Sequence, residues 1–402
     1  MILSEALRSL FGERTTISFS EFMGFALYHP RFGFYVRGGR AGRSADFLTS
    51  PEVGPLFGAV IARVLDAWWI QAGRPDPFVV AEVGAGPGTL ARAIRFAAPE
   101  CSASLLYVLV EQSAFQRSLH GEHLPGWMGE RGGFELEAFV SSPQQGDGPQ
   151  FLSASELPAT FAGVVLANEL LDNLPFDIVR VRASGVVEEL QVARVDGAVD
   201  GADDGAVDGA DDGAVEGREV ALDPVAVPAA PDLAAAVSVF HTEHPELPID
   251  TWFPWQRGAR TWLAQVRSRL TAGHLLVIDY GSTTAELARR EELGWLRTYR
   301  DQQRGTHPLD DPGSQDITCD VAIDQLQRQW PATEVCAQAE FLRAHGIDEL
   351  VAEGLAVWNE RAHLGDLVAI RGRSAMREAE ALLDPEGLGA FTVLHWEIHP
   401  MG

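Results

Sequence analysis

The chain has 402 residues, with 57 acidic side chains against 31 arginines and no lysine, so its formal net charge at pH 7 is −26. This balance argues against nucleic acids and anionic membranes as main partners, because both are bound through positive surfaces. A basic protein partner would be favoured by the same charge, although solubility alone accounts for it equally well. Apolar residues make up 46% of the chain, which is enough to bury a large core.

Neither the cysteines nor the N-terminal residues indicate that the protein is secreted. The three cysteines, Cys101, Cys319 and Cys336, are odd in number and lack CxxC spacing, so we expect neither a disulfide framework nor a bound metal. The first residues lack the long apolar core of a signal peptide, and no apolar run reaches about 18 residues. We therefore expect a cytoplasmic location without membrane insertion.

The N-terminal part, residues 1–55, is predicted to form a cap over a ligand site. It contains a predicted amphipathic helix over residues 17–29, where Ser18 and Glu21 have the spacing of a capping box. An arginine- and glycine-rich loop with several aromatic residues follows. A second helix, over residues 56–69, then begins the predicted core.

Strands and helices alternate in the core. Continuous apolar runs over residues 78–83, 105–110, 162–167 and 275–278 are typical of strands that are covered on both faces. A helix is predicted over residues 89–97, between the first two strands. Such alternation predicts an α/β fold with a parallel sheet, in which ligands bind beyond the carboxyl ends of the strands.

An insertion is predicted over residues 184–257, between a first core part (56–183) and a second one (258–402). It contains a repeat at 196–217, which reads DGAVDGAD twice and then DGAVEG. A repeat of Asp, Gly and Ala cannot build a core, so we predict a disordered or loosely ordered loop. A calcium-binding repeat is the alternative. The final alternating run, at 391–399, is predicted to be an antiparallel edge strand.

The loop after the first core strand has the most specific pattern. Gly84, Gly86 and Gly88 form a GxGxG spacing, whereas a dinucleotide-binding loop has its third glycine one place later. The helix that follows can bind a carboxylate with its free N–H groups, and Glu82 before the loop can bind an ammonium group. S-adenosylmethionine carries both groups, and we therefore predict it as the cofactor.

Two further strand ends carry polar residues. Glu111 ends the second strand, where its carboxylate can accept both hydroxyls of a ribose, although a surface glutamate is the simpler alternative. Asn168, Glu169 and Asp172 follow the third strand, where an acceptor would meet the methyl group. The alternative for Asn168 is the N-cap of a short helix.

The polar stretch over residues 298–316 is predicted to be a long irregular loop that closes over the site. Gln315 and Asp316 are its best candidates for contacts with the site. His307 is a weaker candidate for a base or ligand, because a single loop histidine usually has neither role.

The motifs together resemble the MidA-like family of class I S-adenosylmethionine-dependent methyltransferases. The matching stretches include FMGFALYHPRFGFYV, DFLTSPEVGPLFG, EVGAGPGTL, LVEQS, LANELLDNLPF, LLVIDYG and LRTYRDQQRGTHPLDDPGSQDIT. The resemblance implies a Rossmann-like, mostly parallel seven-stranded sheet with helices on both faces. It also implies that Thr49 and Pro51 lie beside the cofactor, and that Asn168, Glu169 and Asp172 face the acceptor.

Mitochondrial members of that family are protein arginine methyltransferases that assist assembly of respiratory complex I. The resemblance therefore implies methylation of an arginine in a protein partner, such as a subunit of a respiratory complex. The alternatives are a catalytically silent assembly factor that binds S-adenosylmethionine, and a small-molecule methyltransferase. A nicotinamide-dependent oxidoreductase is disfavoured by the glycine spacing.

Overall fold

A computed structural model describes residues 2–36, 49–125, 149–195, 220–300 and 303–400. The acidic repeat at 196–217 lies outside the described residues, so its predicted loop character stays a prediction. None of the helices within the described ranges is long and apolar enough to cross a membrane.

The described chain is a succession of strands and helices. The strands are β1 Thr16–Ser18, β2 Phe78–Val83, β3 Leu105–Val110, β4 Gln150–Ala154, β5 Phe161–Asn168, β6 Asp177–Val181, β7 Val187–Val195, β8 Ala221–Pro228, β9 Phe253–Trp255, β10 Leu270–Asp279, β11 Gly281–Ser282, β12 Leu296–Arg300, β13 Gln303–Arg304, β14 Asp316–Cys319, β15 Val321–Ala322, β16 Glu334–Ala337 and β17 Thr392–Ile398. The α-helices are α1 Leu3–Phe11, α2 Phe19–Tyr28, α3 Ser50–Val53, α4 Pro55–Gln71, α5 Thr89–Ala97, α6 Ala114–His123, α7 Pro231–Glu243, α8 Arg257–Arg269, α9 Thr284–Ala288, α10 Ile323–Gln329, α11 Gln338–Ala344, α12 Ile347–Arg361 and α13 Leu367–Leu382.

A seven-stranded sheet forms the centre, with the strand order β16-β17-β10-β5-β2-β3-β4. Neighbouring strands in the series β10, β5, β2, β3 and β4 are parallel, whereas β17 is antiparallel to both β10 and β16. Six strands therefore run in one direction and β17 runs in the other, which makes the sheet mixed but mostly parallel. The strands predicted over 78–83 and 105–110 have the predicted bounds, while β5 and β10 begin earlier than predicted.

Helices cover both faces of this sheet, which explains why its inner strands are apolar throughout. Val80 and Tyr107 face a core that includes side chains of α4, α5 and α13. Their neighbours Val79 and Leu106 point the other way, into a core that includes side chains of α8 and α10.

The final strand is antiparallel, as predicted, but its predicted position at the sheet edge is wrong. β17 lies between β10 and β16, and β16 forms the edge, with Glu334 opposite His395. Val393, Leu394 and Trp396 are accordingly buried. Four residues of β16 cover the strand, and so short a segment carries little pattern in the sequence.

A second sheet has the order β1-β7-β6-β9, with β8 also paired to β7. It unites the N-terminal strand β1 with strands from the predicted insertion. Ile17 of β1 pairs with Val192 of β7, and both side chains are buried with Phe22 of α2. The predicted capping box of α2 is confirmed, because Ser18 and Glu21 bond each other's backbone N–H groups.

The stretch predicted as one long irregular loop is partly strand. β12, β13 and β14 form a small antiparallel sheet in which Thr298 pairs with Ile317. The prediction of irregular structure at both ends of residues 298–316 is therefore wrong. These strands are two to five residues long and their burial does not alternate, so hydropathy alone does not reveal them.

Two glycines set the spacing of β5 and β10. Gly273 has φ +115°, and a Cβ atom there would lie 1.9 Å from the carbonyl oxygen of Gly163. We expect Gly273→Val to lower the free energy of unfolding by roughly 2–4 kcal/mol, through backbone strain and overpacking. Urea denaturation measures this change.

Gly121→Ala is the control, because Gly121 lies in α6 with no atom within 4 Å of an added Cβ. It should stabilise the protein by up to about 1 kcal/mol through helix propensity. Equal destabilisation by both substitutions would show that the close approach of β5 and β10 does not determine the cost.

Candidate active site

The carboxyl ends of β2, β3, β5 and β10 meet along one edge of the central sheet. Gly84 follows β2 and Glu111 follows β3, while Asn168 and Asp279 are the last residues of β5 and β10. Because these four strands are parallel neighbours, the structure brings the predicted site residues together at this edge.

The glycine loop has left-handed backbone at all three glycines, with φ of +72°, +52° and +89° at Gly84, Gly86 and Gly88. Close packing explains why glycine is required at two of these positions. A Cβ atom on Gly84 would lie 2.9 Å from Leu170, and one on Gly88 would lie 2.9 Å from Leu109. A Cβ atom on Gly86 would meet no atom within 4 Å, so the space beside this part of the loop is open to a ligand.

Glu82 lies beneath the loop, almost completely buried. Its Oε2 accepts a hydrogen bond of 2.8 Å from the Tyr107 hydroxyl, and its carboxyl group also accepts one from the Ala91 N–H in the first turn of α5. Burial raises the pKa of Glu82 to about 8. Glu82 therefore supports the start of α5, and its predicted bond to an ammonium group stays a prediction.

Glu111 is tied to the loop rather than free on the surface. Its Oε2 accepts from the Gly86 N–H at 3.1 Å, and its Oε1 accepts from the Ser113 N–H at 2.7 Å. Burial raises the pKa of Glu111, and these two bonds oppose the rise. Each oxygen keeps a further lone pair, which is what a ribose diol needs.

His120 was not predicted from the sequence, yet it holds the same loop. Its Nε2 lies 2.8 Å from the Gly86 carbonyl oxygen, and its Nδ1 lies 2.9 Å from the Ser153 hydroxyl on β4. The ring is fully buried, and burial lowers its pKa. A single histidine in a polar helix gives no sequence signal for this contact.

The segment after β5 makes a sharp turn instead of starting a helix at Asn168. Glu169 has φ +51°, and its N–H donates to the Ile278 carbonyl oxygen at 2.8 Å. A 3₁₀ helix over Leu171–Asn173 follows, with Leu170 at its N-cap. The alternative that Asn168 caps a helix is therefore wrong, because β5 extends through Asn168.

The Glu169 side chain connects the turn to the TSPE segment. Its Oε1 accepts from the Ser50 N–H at 3.1 Å and from the Asn168 side-chain amide at 3.0 Å. Burial, followed by the charge of Asp172, raises the pKa of Glu169 to about 8. Thr49 and Pro51 flank Ser50, so the structure places both close to this predicted acceptor side.

One of the two carboxyl oxygens of Asp172 has hydrogen-bond partners. Its Oδ2 accepts from the hydroxyls of Tyr280 (2.5 Å) and Thr318 (2.7 Å). Its Oδ1 is buried with no hydrogen-bond partner among the described residues, and the same holds for Oδ1 of Asn168. Two unpaired acceptor atoms therefore lie on the predicted acceptor side.

Asp279 supports this segment from β10. Its Oδ2 accepts from the N–H groups of Leu171 (2.8 Å) and Asp172 (3.4 Å), and its Oδ1 accepts from the Tyr280 N–H (2.9 Å). Burial, followed by the charges of Asp172 and Glu169, raises the pKa of Asp279 well above its usual range.

Asp316 lies at the site, as predicted, together with aromatic residues of the N-terminal cap. Its Oδ1 accepts from the Tyr35 hydroxyl at 3.1 Å and from the Asn173 amide at 3.2 Å. Burial, followed by the charge of Asp172, raises the pKa of Asp316 to about 7. The Tyr35 ring stacks on Tyr28 with centroids 5.6 Å apart, which adds two residues that the sequence did not single out.

The other two candidates of this stretch have local roles. Gln315 donates to the carbonyl oxygens of His307 and Asp310 and accepts from the Thr306 N–H, so it holds its own loop together. His307 is exposed, and its Nδ1 accepts from the Leu309 N–H. The structure does not bring either side chain into the cluster around Asp172.

The raised pKa of Glu82 makes stability depend on pH. A carboxyl group with a raised pKa keeps its proton in the folded state between pH 5 and 8, so stability falls across this window as pH rises. We expect Glu82→Gln to remove a slope of up to about 1.4 kcal/mol per pH unit. Urea denaturation of the ligand-free protein at pH 6 and pH 8 measures it, and the same slope in both proteins would contradict the assignment.

Comparisons with known proteins agree with this geometry. A family model described as "Putative S-adenosyl-L-methionine-dependent methyltransferase" matches residues 60–340, more than half of the chain. The mitochondrial protein arginine methyltransferase NDUFAF7 homolog of Drosophila melanogaster is 25% identical over 347 residues, which cover 79% of this chain and 68% of that protein. The match to human NDUFAF7 is 35% identical but covers 74 residues, 18% of this chain and 17% of that protein.

A crystal structure from Burkholderia thailandensis shares the fold. That protein, described as a "likely methyl transferase" and bound to S-adenosyl-homocysteine, superposes with a TM-score of 0.73 at 24% identity, covering 100% of this chain and 92% of that chain. The predicted cofactor is the one named in the family description. The chain therefore belongs to this family of S-adenosylmethionine-dependent methyltransferases, as its resemblance to MidA-like proteins predicted.

Proposed function

We propose that the protein transfers the methyl group of S-adenosylmethionine to an arginine side chain of a protein partner, on a class I methyltransferase fold. The observation that carries the acceptor part of this proposal is the unpaired Oδ1 of Asp172, buried within a group of carboxyl side chains. We refer to Glu169, Asp172, Asp279 and Asp316 as the carboxyl cluster.

The cofactor side is proposed to be the loop and the ends of β2 and β3. The open space beside Gly86 would accommodate the amino-acid part of the cofactor near the start of α5. Glu111 would accept the ribose hydroxyls, and Glu82 would interact with the ammonium group. Thr49 and Pro51 would lie beside the cofactor, next to Ser50.

The carboxyl cluster favours a cationic acceptor. Burial raises the pKa of every member, and the charge of Asp172 adds to the rise at Glu169, Asp279 and Asp316, so the cluster gains from a positive charge nearby. Arg297 lowers the pKa of Asp172 through its charge, but it already forms an ion pair with Asp320. An incoming guanidinium would supply the charge that the cluster lacks, whereas a neutral acceptor would not.

Methyl transfer to an arginine requires the protein to position the guanidinium and to accept a proton. S-adenosylmethionine, when bound, supplies a methyl group on a sulfonium that leaves as a neutral thioether, so the leaving group needs no acid. Glu169 and Asp172 would accept N–H bonds of the guanidinium and draw its charge away from the reacting nitrogen. The arriving cation lowers their pKa, and one of them then takes the proton that the methylated nitrogen releases.

The partner is proposed from the resemblance alone. The Drosophila relative is named a protein arginine methyltransferase, and the family resemblance suggests a subunit of a respiratory complex as the acceptor protein. The net charge of −26 would attract a basic segment of such a partner. A cytoplasmic location remains part of the same proposal.

Glu169→Gln separates binding from turnover. We expect affinity for S-adenosylmethionine to stay within about twofold, because the substitution leaves the glycine loop intact, while methyl transfer falls by about 100-fold or more with the loss of a carboxylate. Calorimetry measures the first quantity, and transfer of tritium from labelled cofactor to a cell extract measures the second.

Glu380→Gln is the matched control, since Glu380 is an exposed carboxyl on α13. It should bind and turn over as the unaltered protein does. Unchanged methylation in the Glu169→Gln variant would remove Glu169 from the mechanism. Cofactor binding by the unaltered protein without any label transfer would instead indicate a silent assembly factor.

Mass spectrometry of cells with and without the protein identifies the acceptor. We expect arginine methylation to disappear from at least one basic protein segment in the cells that lack it, and to return with the unaltered chain but not with Glu169→Gln. Label found in small molecules, with protein arginine methylation unchanged, would favour a small-molecule methyltransferase.

A further inference from the structure

The end of the helical hairpin formed by α12 and α13 exposes apolar side chains. We call residues 354–377 the hairpin end. Leu367 is 71% exposed and Ile370 is 53% exposed, and three further apolar side chains of the hairpin end are also open to solvent: Leu364, Val368 and Met376. Five exposed apolar side chains within 13 residues are a candidate contact surface for another molecule.

Among the described residues, the hydrogen bonds and ion pairs between the hairpin and the rest of the protein lie near its base, including the Arg63–Glu353 ion pair. Arg63 on α4 donates to the Gly346 carbonyl oxygen at 3.0 Å, and Glu378 near the end of α13 accepts from the Leu56 N–H at 2.9 Å. Between these anchors, no residue from 348 to 368 is buried. The hairpin end therefore projects from the body of the protein.

Its shape is nevertheless well defined by internal contacts. The helices cross closely, because a Cβ on Gly372 would lie 2.5 Å from the Gly354 carbonyl oxygen. Asp366 caps α13 by accepting from the Ala369 N–H at 2.9 Å, and it forms an ion pair with Arg361. The apolar side chains thus sit on an ordered helix rather than on a frayed segment.

The two helices of the hairpin differ in charge. α12 carries four acidic residues and one arginine: Asp348, Glu349, Glu353, Glu360 and Arg361. Of these, Glu360 and Arg361 lie in the hairpin end, and Glu353 forms an ion pair with Arg63 of α4. The part of α13 from Leu367 to Arg377 carries three arginines and no acid: Arg371, Arg373 and Arg377. A twofold axis that pairs α12 of one chain with α13 of another would bring Glu360 of each chain near the arginines of the other, twice over.

We propose that two copies of this chain associate through their hairpin ends, with Leu367 and Ile370 at the centre of a four-helix contact. The two-helix arrangement has one unpartnered apolar face, and a second hairpin would complete a four-helix bundle around it. An anionic membrane fits less well. It would attract the arginines of α13 but repel the acids of α12 and a chain whose net charge is −26.

Analytical ultracentrifugation of the full chain tests this proposal. We expect a dimer at micromolar concentrations, and a rise of about 100-fold or more in the dissociation constant for Leu367→Glu/Ile370→Glu. Phe96→Glu is the matched control, because Phe96 on α5 is equally exposed at 72% and should leave the dimer intact. Circular dichroism melting checks that each variant is folded.

A charge-reversal pair tests the geometry of the contact. A chain with Arg371→Glu/Arg377→Glu and a chain with Glu360→Arg should each be monomeric alone, because like charges then face each other. Mixed together, the two chains should form a heterodimer in which both helix pairs again have opposite charges. Failure of the mixture to associate would overturn the twofold arrangement.

Two other outcomes would overturn the proposal as a whole. The first is a monomeric unaltered chain over the whole concentration range, including one that floats with vesicles of anionic phospholipid, which would assign the surface to a membrane. The second is a folded Leu367→Glu/Ile370→Glu variant that remains a dimer, which would place the dimer contact elsewhere.

Discussion

The carboxyl group of Asp279 is the constraint on which the site depends. It is buried at the end of β10 and accepts the N–H groups of Leu171, Asp172 and Tyr280, so it fixes the segment that leaves β5. The left-handed turn at Glu169 directly precedes this segment and is held by a bond to the backbone of β10. A buried carboxyl group is costly, and three N–H donors offset much of that cost.

Because the turn is fixed from β10, the two sides of the site keep separate chemical characters. The loop after β2 has open space beside Gly86 and leads into the N-terminus of α5, which suits a ligand with a carboxylate. The turn after β5 instead presents carbonyl and carboxyl oxygens, two of which are buried and unpaired at Asn168 and Asp172. The same sheet edge can therefore receive a negatively charged group on one side and a positively charged group on the other.

Local patterns were sufficient to predict much of this arrangement. The apolar runs of β2 and β3, the loop at Gly84 and the capping box at Ser18 depend on residues close in the chain, and the structure has them as predicted. Asp172 illustrates what could not be predicted, since its partners Tyr280 and Thr318 are more than 100 positions away. The edge position of β17 was wrong for the same reason, because pairing with β16 depends on tertiary structure.

Tyr35 connects the N-terminal cap to both sides of the site. Its hydroxyl donates to Asp316 on the acceptor side, while its backbone carbonyl accepts from the Ser113 hydroxyl, next to the Glu111 carboxylate. One residue of the N-terminal cap thus touches both halves of the site. A ligand that displaced the cap from one side would disturb the contact of Tyr35 on the other, and free-energy coupling between two sites is reciprocal. The cap therefore gives the two ligands a shared structural element through which each can alter the affinity of the other.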